Sequence, residues 1–188
     1  MAETQGQADS SQAIAAPGTA THPTPATNGF PVQHTLGGEF SLTGVGLHTG
    51  ANVTVTVAPA LGRQGRYFVR TDLGEGAIVP ARIEAVSQTL LSTELAAGEA
   101  KVRTVEHLLA ALVASGVDNA RITIDGPEAP LLDGSAQPWA AAIAGVGVVA
   151  QTAPRSDWSL AEPVWIREGD AFVAAIPAPE LRFTYGID

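Results

Sequence analysis

Apolar and polar residues alternate strictly along Val53-Thr54-Val55-Thr56-Val57, the period of a half-buried strand, and Pro59 closes the run. The same two-residue period links Phe40 and Leu42 across Ser41, with Val45 ending that stretch. Arg66-Tyr67-Phe68-Val69-Arg70, Ala77-Ile78-Val79 and Arg121-Ile122-Thr123-Ile124-Asp125 read as further strands, the last closed by Gly126-Pro127. Near the C-terminus, Val164-Trp165-Ile166, Phe172-Val173-Ala174-Ala175-Ile176 and Leu181-Arg182-Phe183-Thr184-Tyr185 read as extended. A chain that stops at Asp188, just after such a strand signal, is expected to be cut short.

The period changes to that of a helix in two places. Val105, Leu108, Leu109, Leu112 and Val113 recur at helical spacing, with Thr104 as the expected N-cap and Gly116 as the terminator. A second helix is expected from Ser135 as cap, with Pro138 in its first turn, Trp139 and Ile143 facing inward and Gly145 at its end. Strands before and between two helices predict an α+β fold, a two-layer sandwich of a mixed or antiparallel sheet and two helices. Residues 1–30 hold almost no large apolar side chains and are expected to be a disordered tail. The organised domain is expected over 31–152, with a linker around Gln151 to Asp157 and a further set of strands over 153–188.

Composition narrows the chemistry. Hydrophobic residues are 45% of the 188-residue chain, enough for a core, and the net charge of −9 with a single lysine, Lys101, argues against nucleic acid as a partner. The absence of cysteine leaves His, Asp and Glu as the metal ligands and suits a reducing compartment. No apolar run is long enough to span a membrane, and the N-terminus lacks the basic and apolar regions of a secretory signal. A cytoplasmic location is the expectation.

On the first helix, His107 points away from the stripe of Val105, Leu109 and Leu112, flanked by Ala110, Ala111 and Ala114, and Glu106 lies between the two faces. A helix with so little polar surface is expected to be covered on both sides. Glu106 and His107 also occupy the first turn, where the helix dipole favours an ionised carboxylate and disfavours a protonated imidazole. A carboxylate base beside a neutral imidazole suits a metal hydrolase. The plainer reading of such a pair is a dipole partner next to a structural histidine.

Several blocks point to one family. Gly44-Val45-Gly46-Leu47-His48-Thr49-Gly50, Arg70-Thr71-Asp72-Leu73, Thr89-Leu90-Leu91-Ser92-Thr93, Thr104-Val105-Glu106-His107-Leu108-Leu109-Ala110-Ala111-Leu112 and Pro127-Glu128-Ala129-Pro130-Leu131-Leu132-Asp133-Gly134-Ser135 occur in order. The set resembles the zinc-dependent UDP-3-O-acyl-N-acetylglucosamine deacetylases of lipid A synthesis, over about Gln33 to Gly147. The resemblance implies the first of two similar domains and the hydrolysis of the N-acetyl group of UDP-3-O-acyl-N-acetylglucosamine. It implies His107 as a Zn2+ ligand, Glu106 as the general base, and Leu91 and Ser92 beside the sugar and the metal. His48 is read as a turn residue, and His22 and His34 fall outside the matched blocks. The family's remaining ligands, a His-x-x-x-Asp pair, and a second catalytic His lie in the second domain, with no counterpart in this sequence. A chain with one such imidazole is expected to bind zinc weakly, to be inactive by itself and to self-associate through uncovered apolar surface. Two other readings compete: a non-catalytic remnant or interaction module, and a small-molecule kinase using Gly44 to Gly50 as a phosphate loop. The loop lacks the Gly-Lys-Ser/Thr ending of a P-loop.

Overall fold

The computed structural model describes residues 32–74, 76–156 and 159–186. The tail expected over residues 1–30 lies outside them. The chain divides into two compact units, one spanning Thr27–Ser156 and the other containing Asp157–Asp188.

The larger unit is the expected α+β layer structure. Its main sheet has five strands: β2 (Phe40–Val45), β3 (Asn52–Pro59), β4 (Arg66–Arg70), β5 (Ile78–Pro80) and β9 (Ala120–Ile124). Their spatial order is β2-β3-β9-β4-β5, and only the β4–β9 pair is parallel, so the sheet is mixed. In β3 the alternation is realised in full: Val53, Val55 and Val57 are buried. Outward-facing hydroxyls bond across the β2–β3 pair, Ser41 with Thr56 at 2.7 Å and Thr43 with Thr54 at 3.0 Å. A smaller antiparallel sheet combines β6 (Val86–Gln88), β7 (Glu94–Ala97) and β8 (Ala100–Arg103). A two-stranded antiparallel pair joins β1 (Val32–Leu36) to β10 (Val148–Pro154). Gln151, expected to open a linker, therefore lies inside a strand, where its side chain bonds Asn119 and the Ala60 carbonyl.

Helices α1 (Glu106–Ala114) and α2 (Gln137–Val146) pack on each other. One apolar core joins them to the sheets through Phe68, Leu108, Leu112, Ile122, Ile124, Trp139 and Ile143. The buried residues of α1 are Leu108, Ala111 and Leu112, so Ala111 belongs to the core and not to the outward face around His107. Gly116 ends the α1 region as expected, with φ 73°. The cap expectations need correction. Val105 is the N-cap of α1, and the Thr104 hydroxyl donates to Glu128, 2.7 Å away, leaving the helix amides uncapped by it. Ser135 accepts from the Gln137 amide at 3.1 Å, but the residue in the capping position of α2 is Ala136. The helix runs past Gly145 to Val146, and Gly147 with φ 76° follows it.

In the second unit, β11 (Val164–Glu168) and β12 (Ala171–Ala175) form an antiparallel hairpin, registered from Val164 opposite Ala175 to Glu168 opposite Ala171. Trp165 and Phe172 lie with ring centroids 5.9 Å apart. The alternation of Leu181 to Tyr185 does not become a strand: residues 177–186 carry no regular secondary structure beyond bends. Its side chains are exposed, and an isolated alternating run has no ladder to join. No helix among the described residues is long and apolar enough to cross a membrane.

Candidate functional site

Three segments converge at the start of α1. Glu106 and His107 are its first two residues, both half-buried. The Thr93 amide donates to the Glu106 carboxylate over long contacts of 3.3 and 3.4 Å. The turn that carries Thr93 also carries Leu91 and Ser92. Leu91 is 84% exposed and has φ 63°, a left-handed conformation uncommon for a leucine. Ser92 is 7% exposed, and its hydroxyl has no hydrogen-bond partner among the described residues. A buried hydroxyl without a partner is costly and marks a place where a further polar group would be accepted.

The third segment follows β9. Asp133 accepts from both the amide and the hydroxyl of Ser135, each at 2.9 Å. Those bonds, amide first, hold its carboxyl below the usual carboxylate range. Among the described residues, no group of three or more His, Asp or Glu side chains could hold a metal ion. Among the described residues the site thus falls short of the three protein ligands that a catalytic zinc centre needs.

In the sequence Glu128 reads only as part of the loop before the second helix, and the structure gives it a larger part. Its side chain is fully buried, with 0% exposure, and accepts from Thr104 Oγ1 at 2.7 Å, the His48 amide at 3.0 and 3.1 Å, and the Thr49 amide and hydroxyl at 2.8 Å each. Burial pushes its carboxyl up, but these donors outweigh burial and hold it below the usual range. Its chain position has one sequence cue: an acidic residue set among Pro127, Ala129 and Pro130 has no polar neighbours of its own. The phosphate-loop reading of Gly44 to Gly50 ends here, because the His48 and Thr49 amides that would cradle a phosphate are already bonded to Glu128. His48 contributes its backbone to the site, and its residue is exposed, in line with a turn role.

Thr104 has φ 57°, a strained conformation for a β-branched residue, costing on the order of 1–3 kcal/mol. Its amide donates to the Thr93 carbonyl at 3.0 Å. The Arg70-Thr71-Asp72 block serves the frame. Arg70 is buried, forks onto Asp72 at 2.8 and 2.7 Å and donates to the Lys101 carbonyl, tying β4 to β8.

A profile of the UDP-3-O-acyl N-acetylglycosamine deacetylase family matches residues 33–188. Curated proteins named UDP-3-O-acyl-N-acetylglucosamine deacetylase are similar to the chain. That of Trichormus variabilis is 60% identical over 158 residues, covering 83% of this chain and 56% of its own length. That of Thermosynechococcus vestitus is 61% identical over 156 residues (83% and 55%), and that of Myxococcus xanthus 46% over 156 residues (83% and 50%). The chain therefore spans about half the length of the curated relatives it matches.

Proposed function

Because the chain belongs to the UDP-3-O-acyl-N-acetylglucosamine deacetylase family, we propose that it supplies the base and one metal ligand of a zinc-dependent N-acetyl hydrolase acting on UDP-3-O-acyl-N-acetylglucosamine. The observation that carries the reading is the placement of Glu106 and His107 side by side at the start of α1, with the Thr93 amide against the Glu106 carboxylate. In this reading Glu106 takes a proton from the attacking water and later delivers one to the departing amine, which balances the hydrolysis of the amide to acetate and a free amine. Zinc, when bound, would polarise the acetyl carbonyl and acidify the water. His107 would be one ligand, and the others would come from outside the described residues. The exposed Leu91 would lie against the sugar, and the unpartnered hydroxyl of Ser92 would face the polar end of the substrate.

The ligand shortage supports a second statement about the chain by itself: with zinc added, it turns over little or no substrate. We assign the chemistry to the cytoplasm, consistent with a chain free of cysteine. The test is acetate release from UDP-3-O-acyl-N-acetylglucosamine, by the 188-residue chain and by the same chain extended with the remaining sequence of the Trichormus variabilis relative. The extended protein should bind one equivalent of zinc and release acetate. An extended protein that folds and binds zinc yet releases none would sink the proposal.

A further inference from the structure

We infer that Glu128 is the positioning residue of the site, and that its buried carboxylate fixes where the base Glu106 stands by holding Thr104 in its left-handed conformation. The inference rests on the assignment of Glu106 as base for its functional meaning, but its structural content stands on contacts alone.

Those contacts form a continuous path. Glu128 Oε1 accepts the Thr104 hydroxyl at 2.7 Å, the Thr104 amide donates to the Thr93 carbonyl at 3.0 Å, and the Thr93 amide turns to the Glu106 carboxylate at 3.3 to 3.4 Å. The backbone on both sides of Glu128 is locked to the residue before Thr104: Arg103 donates to the Pro127 carbonyl at 2.9 Å and accepts from the Ala129 amide at 3.0 Å. On its far side the carboxylate gathers the His48 and Thr49 amides, so the turn after β2 is anchored to the same point. A Cβ on Gly46 would come within 2.5 Å of Glu128 Oε2, which shows how closely this turn wraps the carboxylate. Among the described residues the Glu128 carboxylate accepts only from neutral donors, and no lysine or arginine pairs with it. A pair chosen only to bury charge would not require the β-branched Thr104 to adopt φ 57°, a region that glycine enters freely. The strain and the hydroxyl bond that offsets it coincide at one residue, two positions before Glu106.

The experiment uses the whole 188-residue chain and reads amide hydrogen exchange at Thr93, with the β9 amide of Ile122 as an internal standard. Glu128→Gln should speed exchange at Thr93 about tenfold or more relative to Ile122, the scale of one lost charge-assisted bond. Glu128→Gln combined with Thr104→Gly should bring Thr93 back towards the wild-type ratio, because glycine holds a left-handed backbone unaided. Should Glu128→Gln not fold, Thr104→Val and Thr104→Ser take its place. Valine should reproduce the fast exchange at Thr93, and serine, which keeps the hydroxyl, should not. The inference is overturned if Thr93 and Ile122 speed up equally, if the glycine double variant exchanges like Glu128→Gln alone, or if valine and serine behave alike. Normal acetate release by Glu106→Gln in the extended protein would remove the assignment of the base and leave these exchange results untouched.

Discussion

Glu106 and Glu128 are both carboxylates near the start of α1, but their surroundings give them different tasks. Among the described residues Glu106 has only long contacts to the Thr93 amide, which leaves its carboxylate available for the role of base proposed above. In the extended protein, Glu106→Gln should keep zinc content near one equivalent and lower acetate release roughly 10²–10⁴-fold, the usual size of a general-base contribution. His107→Ala should lose metal and turnover together, read by metal analysis after dialysis. Glu128, by contrast, is saturated with donors. Its folded value lies below the ordinary 4.5, so its stabilisation is fully present above that value and is lost as the pH falls through the lower, folded one. Asp72, held down first by its hydrogen bond from Arg70, acts with the same sign below its ordinary 3.8. The melting temperature should therefore fall on acidification from about pH 5 to about pH 3, and the fall should be shallower in Glu128→Gln. A Glu128→Gln variant with an unchanged pH profile would show that this carboxylate is not what acid titrates.

At the scale of elements, the legible parts of the sequence are those whose pattern is local. The Val-Thr alternation of β3, the Arg66 to Arg70 strand, the helical spacing around Leu108 and Leu112, and the inward Trp139 and Ile143 all depend on near neighbours, and each is realised. What was not legible depends on partners far along the chain. Strand β1 has no alternation to announce it; Thr35 is held by the Asn119 carbonyl at 2.7 Å, a residue reached only after the whole sheet is built. Thr104 reads as a helix cap until Glu128 takes its hydroxyl from a distance of 24 residues. Leu181 to Tyr185 shows the converse, a strong pattern without a strand to pair with. At the site, adjacent Glu106 and His107 were readable as a motif, whereas the role of Glu128 required its burial to be seen. Packing gives its own test. Leu112 is fully buried between helix and sheet, and Leu112→Ala should cost about 2–5 kcal/mol in denaturant unfolding. A loss under about 1 kcal/mol would mean the cavity collapses freely.

The molecule as a whole leaves apolar side chains uncovered in its smaller unit. Trp165, Ile166, Phe172 and Val173 on the β11–β12 hairpin are each more than half exposed. A two-stranded hairpin with such a surface is marginal without a further layer. Light scattering on the isolated chain should show association that grows with concentration, and Trp165→Ser with Phe172→Ser should reduce it; a monodisperse monomer at high concentration would contradict this. The larger unit is finished differently. Its first and last strands lie side by side, Val32 opposite Pro154 and Leu36 opposite Val148, so the backbone leaves this unit next to where it entered. Such an arrangement makes the connectivity interchangeable. A short bridge between residues near 32 and 154, with new ends opened at the exposed turn between Ala97 and Ala100, where Gly98 has φ 58°, should give a circular permutant that melts cooperatively like the parent.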